Sequence, residues 1–207
     1  MNKTKIEWAD YTWNPIVGCK HRCHYCYARA LNDRFRFIAD WEEPEMFFER
    51  LKEPGKIKKP SRIFVGSMSD IFGKWVSDEW ILEIIKVAKW NPQHTFMFLT
   101  KNPNRYKQFE SLFTENCLLG TTITGENINT DLDRIWQMKN LKAKKFLSIE
   151  PLMGNVGVYR MDYFDLLIVG AMTGKYAENF EPKTDWIKNI KHPNVFYKEN
   201  IKKYMDK

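Results

Sequence analysis

At 207 residues the chain is long enough for one well-buried core and short for two independent domains, so a single domain over 1–207 is expected. Hydrophobic residues make up 43% and charged residues 29%, with 15% aromatics including eight Trp, which excludes a disordered chain. No apolar run approaches the ~20 residues that cross a bilayer, and the first residues, Met1 to Trp8, lack the apolar stretch of a leader; the expected compartment is the cytoplasm, with no membrane partner. The net charge of +7, with basic runs at 52–62 and 139–145 against an acidic stretch at 40–49, fits a phosphate-bearing partner and equally an ordinary solvated surface.

In chain order, β-rich runs predict strands at 13–18, 62–67, 95–100, 118–124, 145–150 and 164–170, with a short seventh at 195–198. Between the second and third, Ser77 can cap a helix in which Ile81, Ile84, Ile85 and Ala88 recur at i, i+3, i+4 and i+7, with Asp78 and Glu79 suited to its first turn. A second helix is expected after Asn129-Thr130 (Leu132, Ile135, Trp136) and a third after Thr184-Asp185 (Trp186, Ile187, Ile190). Such alternation argues for an α/β fold of parallel strands with crossover helices. A full eight-unit barrel takes ~250 residues, so six or seven units here imply a partial (β/α)6-type barrel, open at one side. Its ligands should collect where the loops leave the C-terminal strand ends.

Three of the four cysteines fall within eight residues, as Cys19-Lys20-His21-Arg22-Cys23-His24-Tyr25-Cys26, a C-x3-C-x2-C spacing directly after the first expected strand. Close thiols in a reduced compartment favour metal over disulfide, and soft thiolates select zinc, copper(I) or iron–sulfur clusters. Structural zinc wants four closed ligands, which His21 or His24 would have to complete. Three cysteines on a [4Fe–4S] cluster leave one iron open to an exogenous ligand.

The spacing, the aromatic Tyr25 between the last two cysteines and the place of the triplet in the chain resemble the signature of the radical S-adenosylmethionine (SAM) superfamily. The likeness extends through Ile6-Glu7-Trp8, Thr12-Trp13-Asn14-Pro15, Cys26-Tyr27-Ala28, Ser67-Met68-Ser69-Asp70-Ile71-Phe72, Leu99-Thr100-Lys101, Glu150-Pro151-Leu152 and Val195-Phe196-Tyr197-Lys198, which together resemble a phage-associated family of uncharacterised radical-SAM-like proteins. The resemblance implies that Cys19, Cys23 and Cys26 hold a [4Fe–4S] cluster, and that SAM chelates the fourth iron and is cleaved reductively to a 5′-deoxyadenosyl radical that abstracts hydrogen from substrate. It also implies an electron donor such as flavodoxin or ferredoxin. Two departures stand out. Many relatives have a longer gap between the first two cysteines, and their Gly-Gly-Glu-Ser-Gly run after the sixth strand is here Gly170-Ala171-Met172-Thr173-Gly174, which removes a carboxylate from the expected pocket.

Ser67, Met68 and Ser69 stand after the second strand, where the resembled radical SAM proteins meet the SAM amino group, and the resemblance makes them candidates for that contact, with Asp70 supplying charge; the alternative is that Ser69 and Asp70 only end the strand in a turn. Thr122 and Thr124 suit ribose hydroxyls and Glu126 and Asn127 the same edge, unless they cap the following helix. Lys101 and Glu150, at strand ends, are candidates to orient substrate or to form structural ion pairs. Cys117 is either a spare hydrogen-atom donor or a small buried apolar residue. Trp8, Tyr11 and Trp13 either shield the cysteine loop or close the open side as core; the C-terminal tail, 199–207, or another chain is a further candidate cover. The charge and the phage-type resemblance direct the substrate search toward nucleic acid or a nucleotide, with Lys56, Lys58, Lys59 and Arg62, and Lys142, Lys144 and Lys145, as expected contacts. The reading from another functional class is a non-catalytic nucleic-acid-binding protein in which the cysteines hold structural zinc or a structural cluster.

Overall fold

The computed structural model describes residues 1–174, 177 and 180–205. Among these residues the main sheet has eight strands. They are β1 (Asn2–Lys3), β2 (Tyr11–Trp13), β5 (Arg62–Val65), β6 (Thr95–Thr100), β7 (Cys117–Ile123), β8 (Lys144–Ile149), β9 (Leu166–Val169) and β10 (Val195–Tyr197), in that order across the sheet. All neighbouring pairs from β2 to β10 are parallel, while β1 pairs antiparallel with β2. The expected α/β fold with a mainly parallel sheet is therefore present, and β1 and β10 remain its edges.

Alternation along the strands sorts the core into two faces. Phe64, Met97, Phe146 and Ile168 pack on one side with Trp8 and Ala9, whereas Ile63, Val65, Phe96, Phe98, Leu119, Leu147 and Val169 belong to the larger core with the helices. The N-terminal segment thus fills the first face: the Trp8 ring lies 4.7 Å from Phe64 and 6.0 Å from Phe146. The same segment is fastened at the far edge, where the Glu199 N–H donates to the Glu7 carboxylate (2.9 Å). Trp8 and Trp13 are accordingly core residues, and the described part of the C-terminal tail packs through Ile201 and Tyr204.

The expected strand at 13–18 is split. Pro15 cannot donate to a ladder, and β3 (Ile16–Val17) leaves the main sheet to pair antiparallel with β4 (Glu45–Met46). The other strands lie within three residues of their expected ends. Helix α2 (Asp78–Trp90) starts as its cap predicts, with the Ser77 hydroxyl accepting from the Trp80 N–H. Helix α4 (Ile128–Lys139) begins earlier than expected because Asn127 is its cap, and α5 (Thr184–Lys188) is short. Helices α3 (Tyr106–Phe109) and α6 (Glu199–Lys202) are single turns. Helix α1 (Tyr27–Phe35) follows the cysteines with Cys26 as its cap, so the triplet lies in a strand-to-helix loop. Its apolar Leu31 and Phe35 are exposed while Asn32 is buried, which weakens the usual amphipathic signal.

Candidate cofactor and substrate cavity

A cavity of about 350 Å³ opens at the C-terminal ends of β5, β6, β7, β8 and β9, within the size range of small-molecule sites (roughly 300–1,000 Å³). Cys19, Cys23 and Cys26 line one wall, together with His21 and Tyr25; Ser67, Ser69, Thr100, Lys101, Thr122, Ser148 and Glu150 line the strand ends. Trp8, Phe64 and Leu99 add an apolar surface. Parallel register explains the convergence, since Thr100 pairs with Thr121 and Thr122 with Ser148, which brings successive strand ends level.

The cysteine loop is shaped by backbone contacts. The Gly18 N–H donates to the Met68 carbonyl (3.0 Å) and the Cys19 N–H to the Trp41 carbonyl (2.9 Å). Gly18 has φ 106°, and a Cβ there would stand 2.8 Å from the Pro44 Cα, so only glycine fits the entry to the loop. Burial pushes the Cys19 thiol up to about 12 and raises that of Cys26. Thiolates at these positions therefore need a strong local positive charge, which a bound metal centre provides. All four cysteines are free. Among the described residues no three His, Cys, Asp or Glu side chains close on the position of a single metal ion. A cluster asks for something different, one thiolate on each of three irons, and three unpaired soft donors on one cavity wall fit that demand.

Asp70 lies beneath this loop, 5% exposed. Its carboxylate accepts from His21 Nε2 (2.6 Å), the Thr100 hydroxyl (2.6 Å), the Lys101 N–H (2.8 Å) and the Phe72 N–H (3.0 Å). Burial alone would raise its pKa, but the His21 contact and the other donors outweigh it and hold the carboxyl below its ordinary value. Lys101 extends along the same wall, its ammonium 5.7 Å from the Tyr25 ring centre. Burial lowers the Lys101 pKa, yet Tyr25, Cys23 and Asp70 together raise it above the ordinary value, so the ammonium stays charged. It has no carboxylate partner among the described residues. Burial raises the Tyr25 phenol, with Lys101 acting in the opposite direction.

On the opposite side Glu150 and Lys198 form an ion pair. Gly170 makes room for it: a Cβ there would lie 3.0 Å from both the Glu150 Cδ and the Lys198 Cδ. The run that departs from the resembled motif contributes Ala171, Met172 and Thr173 to the cavity.

Some expected site residues lie elsewhere. Met68 packs with Val17, Ala28, Ile38 and Trp41 behind the loop, and its N–H donates to the Asn14 side chain (3.0 Å). Thr124 is buried, its hydroxyl accepting from the Glu126 N–H (3.3 Å), and Asn127 caps α4 by accepting from the Thr130 N–H (3.0 Å). None of these four lines the cavity. Cys117 is 2% exposed at the opposite, N-terminal end of β7. The two basic runs also sit at that end, because Arg62 starts β5 and Lys144 starts β8. The Lys145 ammonium is engaged within the protein, donating to the Leu141 carbonyl (2.7 Å) just past the end of α4.

Three participants escaped the sequence reading as individual side chains. The Asn14 amide oxygen accepts from the Ser67 hydroxyl (3.1 Å) as well as from Met68, and the Tyr27 hydroxyl donates to the Ser67 carbonyl (2.9 Å), so both fix the β5 loop. Arg134 of α4 donates to the Lys101 carbonyl (3.2 Å) and the Thr122 carbonyl (3.0 Å), which ties two strand ends together. Asn14-Pro15 is a turn signal in the sequence, whereas Tyr27 and Arg134 act across distances that no local pattern reports.

The fold is shared with spore photoproduct lyase. A cysteine mutant of that enzyme with dinucleoside spore photoproduct aligns with TM-score 0.62 and 13% identity over 86% of this chain and 61% of that one. A double mutant with bound AdoMet and dinucleoside spore photoproduct aligns with TM-score 0.60 and 14% identity over the same shares. An uncharacterized protein of Methanocaldococcus jannaschii is 33% identical over 73 residues, which is 35% of this chain and 28% of that protein. The chain therefore spans less than two thirds of the length of each of these proteins. A family described as proteins of unknown function, DUF5131, matches residues 3–198, nearly the whole length, and the chain belongs to that family.

Proposed function

We propose that this protein is a radical SAM enzyme acting on a nucleotide-containing substrate. The observation that carries the reading is the placement of Cys19, Cys23 and Cys26 on one wall of the cavity at the C-terminal strand ends. A bound [4Fe–4S] cluster and SAM would supply one-electron cleavage of the sulfonium and hydrogen abstraction. The chain's own residues would orient and enclose. Cys19, Cys23 and Cys26 would ligate, and Lys101, charged and without a carboxylate partner among the described residues, offers a contact for an anionic group. Ser67, Ser69 and Thr122 offer hydroxyls, while Trp8, Phe64 and Leu99 present the apolar surface that keeps water from the reacting groups. Glu150 is neutralised by Lys198, so the pair presents a dipole rather than a net charge.

The substrate class is supported by the fold shared with an enzyme whose structures hold AdoMet and a dinucleoside photoproduct, together with the phage-type resemblance of the motifs. A target within a duplex would have to be extruded or single-stranded to enter a cavity of this size. A flavodoxin or ferredoxin is the proposed electron donor and the cytoplasm the proposed compartment; no described helix is long and apolar enough to cross a membrane. The test is anaerobic reconstitution followed by reduction with SAM. About four irons and four sulfides per chain, with 5′-deoxyadenosine and methionine as products, are expected. Stoichiometric zinc in iron-replete anaerobic protein, or a cluster that leaves SAM intact, would return the chain to the non-catalytic reading.

A further inference from the structure

We propose that His21 is a positioning residue that latches the cysteine loop to the strand ends through Asp70, so that the loop holds its shape before any cofactor arrives. The cluster at the end of this inference rests on the reading above, but the latch itself is a property of the metal-free chain. His21 stands midway between Cys19 and Cys23, and its Nε2 lies 2.6 Å from the Asp70 carboxylate, 49 residues away in sequence. Its ring is also held edge-on against Trp75, with centres 4.8 Å apart and planes at 78°. The ring orientation is therefore set from two sides.

The Asp70 carboxylate is fully engaged within the protein. An ionised carboxylate offers about four lone-pair sites, and the four here accept from the imidazole of the cysteine loop, the hydroxyl of Thr100, the amide of Lys101 and the amide of Phe72. These donors come from the loop, from the end of β6 and from the turn after β5. Asp70, which itself lines the cavity, is consequently the hub joining the three segments that build one of its walls. The other side-chain ties of residues 20–25 are weak or lead elsewhere. Lys20 pairs with Glu43 and Arg22 with Glu42 on the exposed surface, and exposed pairs contribute little. Among the described residues, His21 makes the one side-chain hydrogen bond from this stretch to the strand ends.

The loop carries its own reporters, because Lys20 and Arg22 are trypsin sites on either side of His21. Metal-free wild-type protein and the variants His21→Ala and His21→Gln are digested under native conditions, and cleavage at Lys20 and Arg22 is followed by mass spectrometry beside the exposed Lys107. His21→Ala should speed loop cleavage about tenfold, as expected when a charge-assisted hydrogen bond guarding local opening is lost, and leave Lys107 at the wild-type rate. His21→Gln, which restores an N–H donor, should recover most of the protection. After reconstitution, the electron paramagnetic resonance signal of the reduced cluster should shift in His21→Ala and return toward wild type in His21→Gln. Loop cleavage at the wild-type rate in His21→Ala, equal acceleration at every site, or no recovery with Gln would each overturn the latch. Protection by His21 in a protein that never takes up iron would leave the latch standing and defeat the radical SAM reading instead.

Discussion

Replacing Trp8 by Ala tests the claim that the N-terminal segment is part of the core rather than a loose cover. The side chain is 4% exposed and packs on Phe64 and Phe146. Truncating a buried Trp to Ala costs about 3–5 kcal/mol through lost burial and the cavity left behind. No hydrogen bond is added to that sum, because the Trp8 indole N–H has no hydrogen-bond partner among the described residues. For a chain of this size about 2–4 °C of Tm accompanies each kcal/mol, so the melting temperature should fall by about 6–20 °C, and the urea midpoint should fall with it. Trp8→Phe keeps most of the ring contact and should lose far less. Trp8 also lines the cavity, so if SAM binds there as proposed, the Ala variant should bind it more weakly even at temperatures where it stays folded. A loss below about 1 kcal/mol, the range of a surface substitution, would refute the placement of this segment against the sheet.

Alanine at Cys19, Cys23 or Cys26 should abolish a stable iron–sulfur absorbance in reconstituted protein, whereas Cys117→Ala, at the far end of β7, should leave it intact. Gly120→Ala should destabilise by about 1–3 kcal/mol in urea titrations, because its Cβ would stand 2.3 Å from the fully buried Phe146 ring in the middle of the sheet. The Asp78 carboxyl is held below the ordinary aspartate range by its hydrogen bond to Arg105 and, further, by Gln108, with desolvation opposing them. Its stabilising contribution is therefore present above about pH 4 and lost as pH falls through the depressed native value; Asp78→Asn should flatten that part of the acid unfolding curve. Oligonucleotide binding, if it feeds the cavity, should survive charge reversal at Lys142 and Lys144, which sit at the N-terminal ends of the strands; a steep loss of affinity on reversal would place the nucleic acid on the face opposite the cavity.

Local patterns carried much of this protein in the sequence alone. Short apolar runs marked the strands, the Ser77 cap and the i, i+3, i+4, i+7 spacing marked α2, and the cysteine triplet marked the loop, because each depends on neighbours within a few residues. The expected single strand at 13–18 is divided for a related reason: its apolar content suits one strand, but Pro15 and the pairing of β3 with β4 break it. Only the tertiary structure decided which polar residues share a site. Asp70 became a saturated hub because His21, Thr100 and Lys101 reach it from 49, 30 and 31 residues away. Asn127 capped a helix instead of facing the cavity, and the basic runs fell at the far end of the sheet, since parallel strands send their beginnings and their ends to opposite sides of the molecule. Period and spacing act along the chain, whereas hydrogen-bond saturation and the choice of end depend on which distant segments the folded sheet brings together.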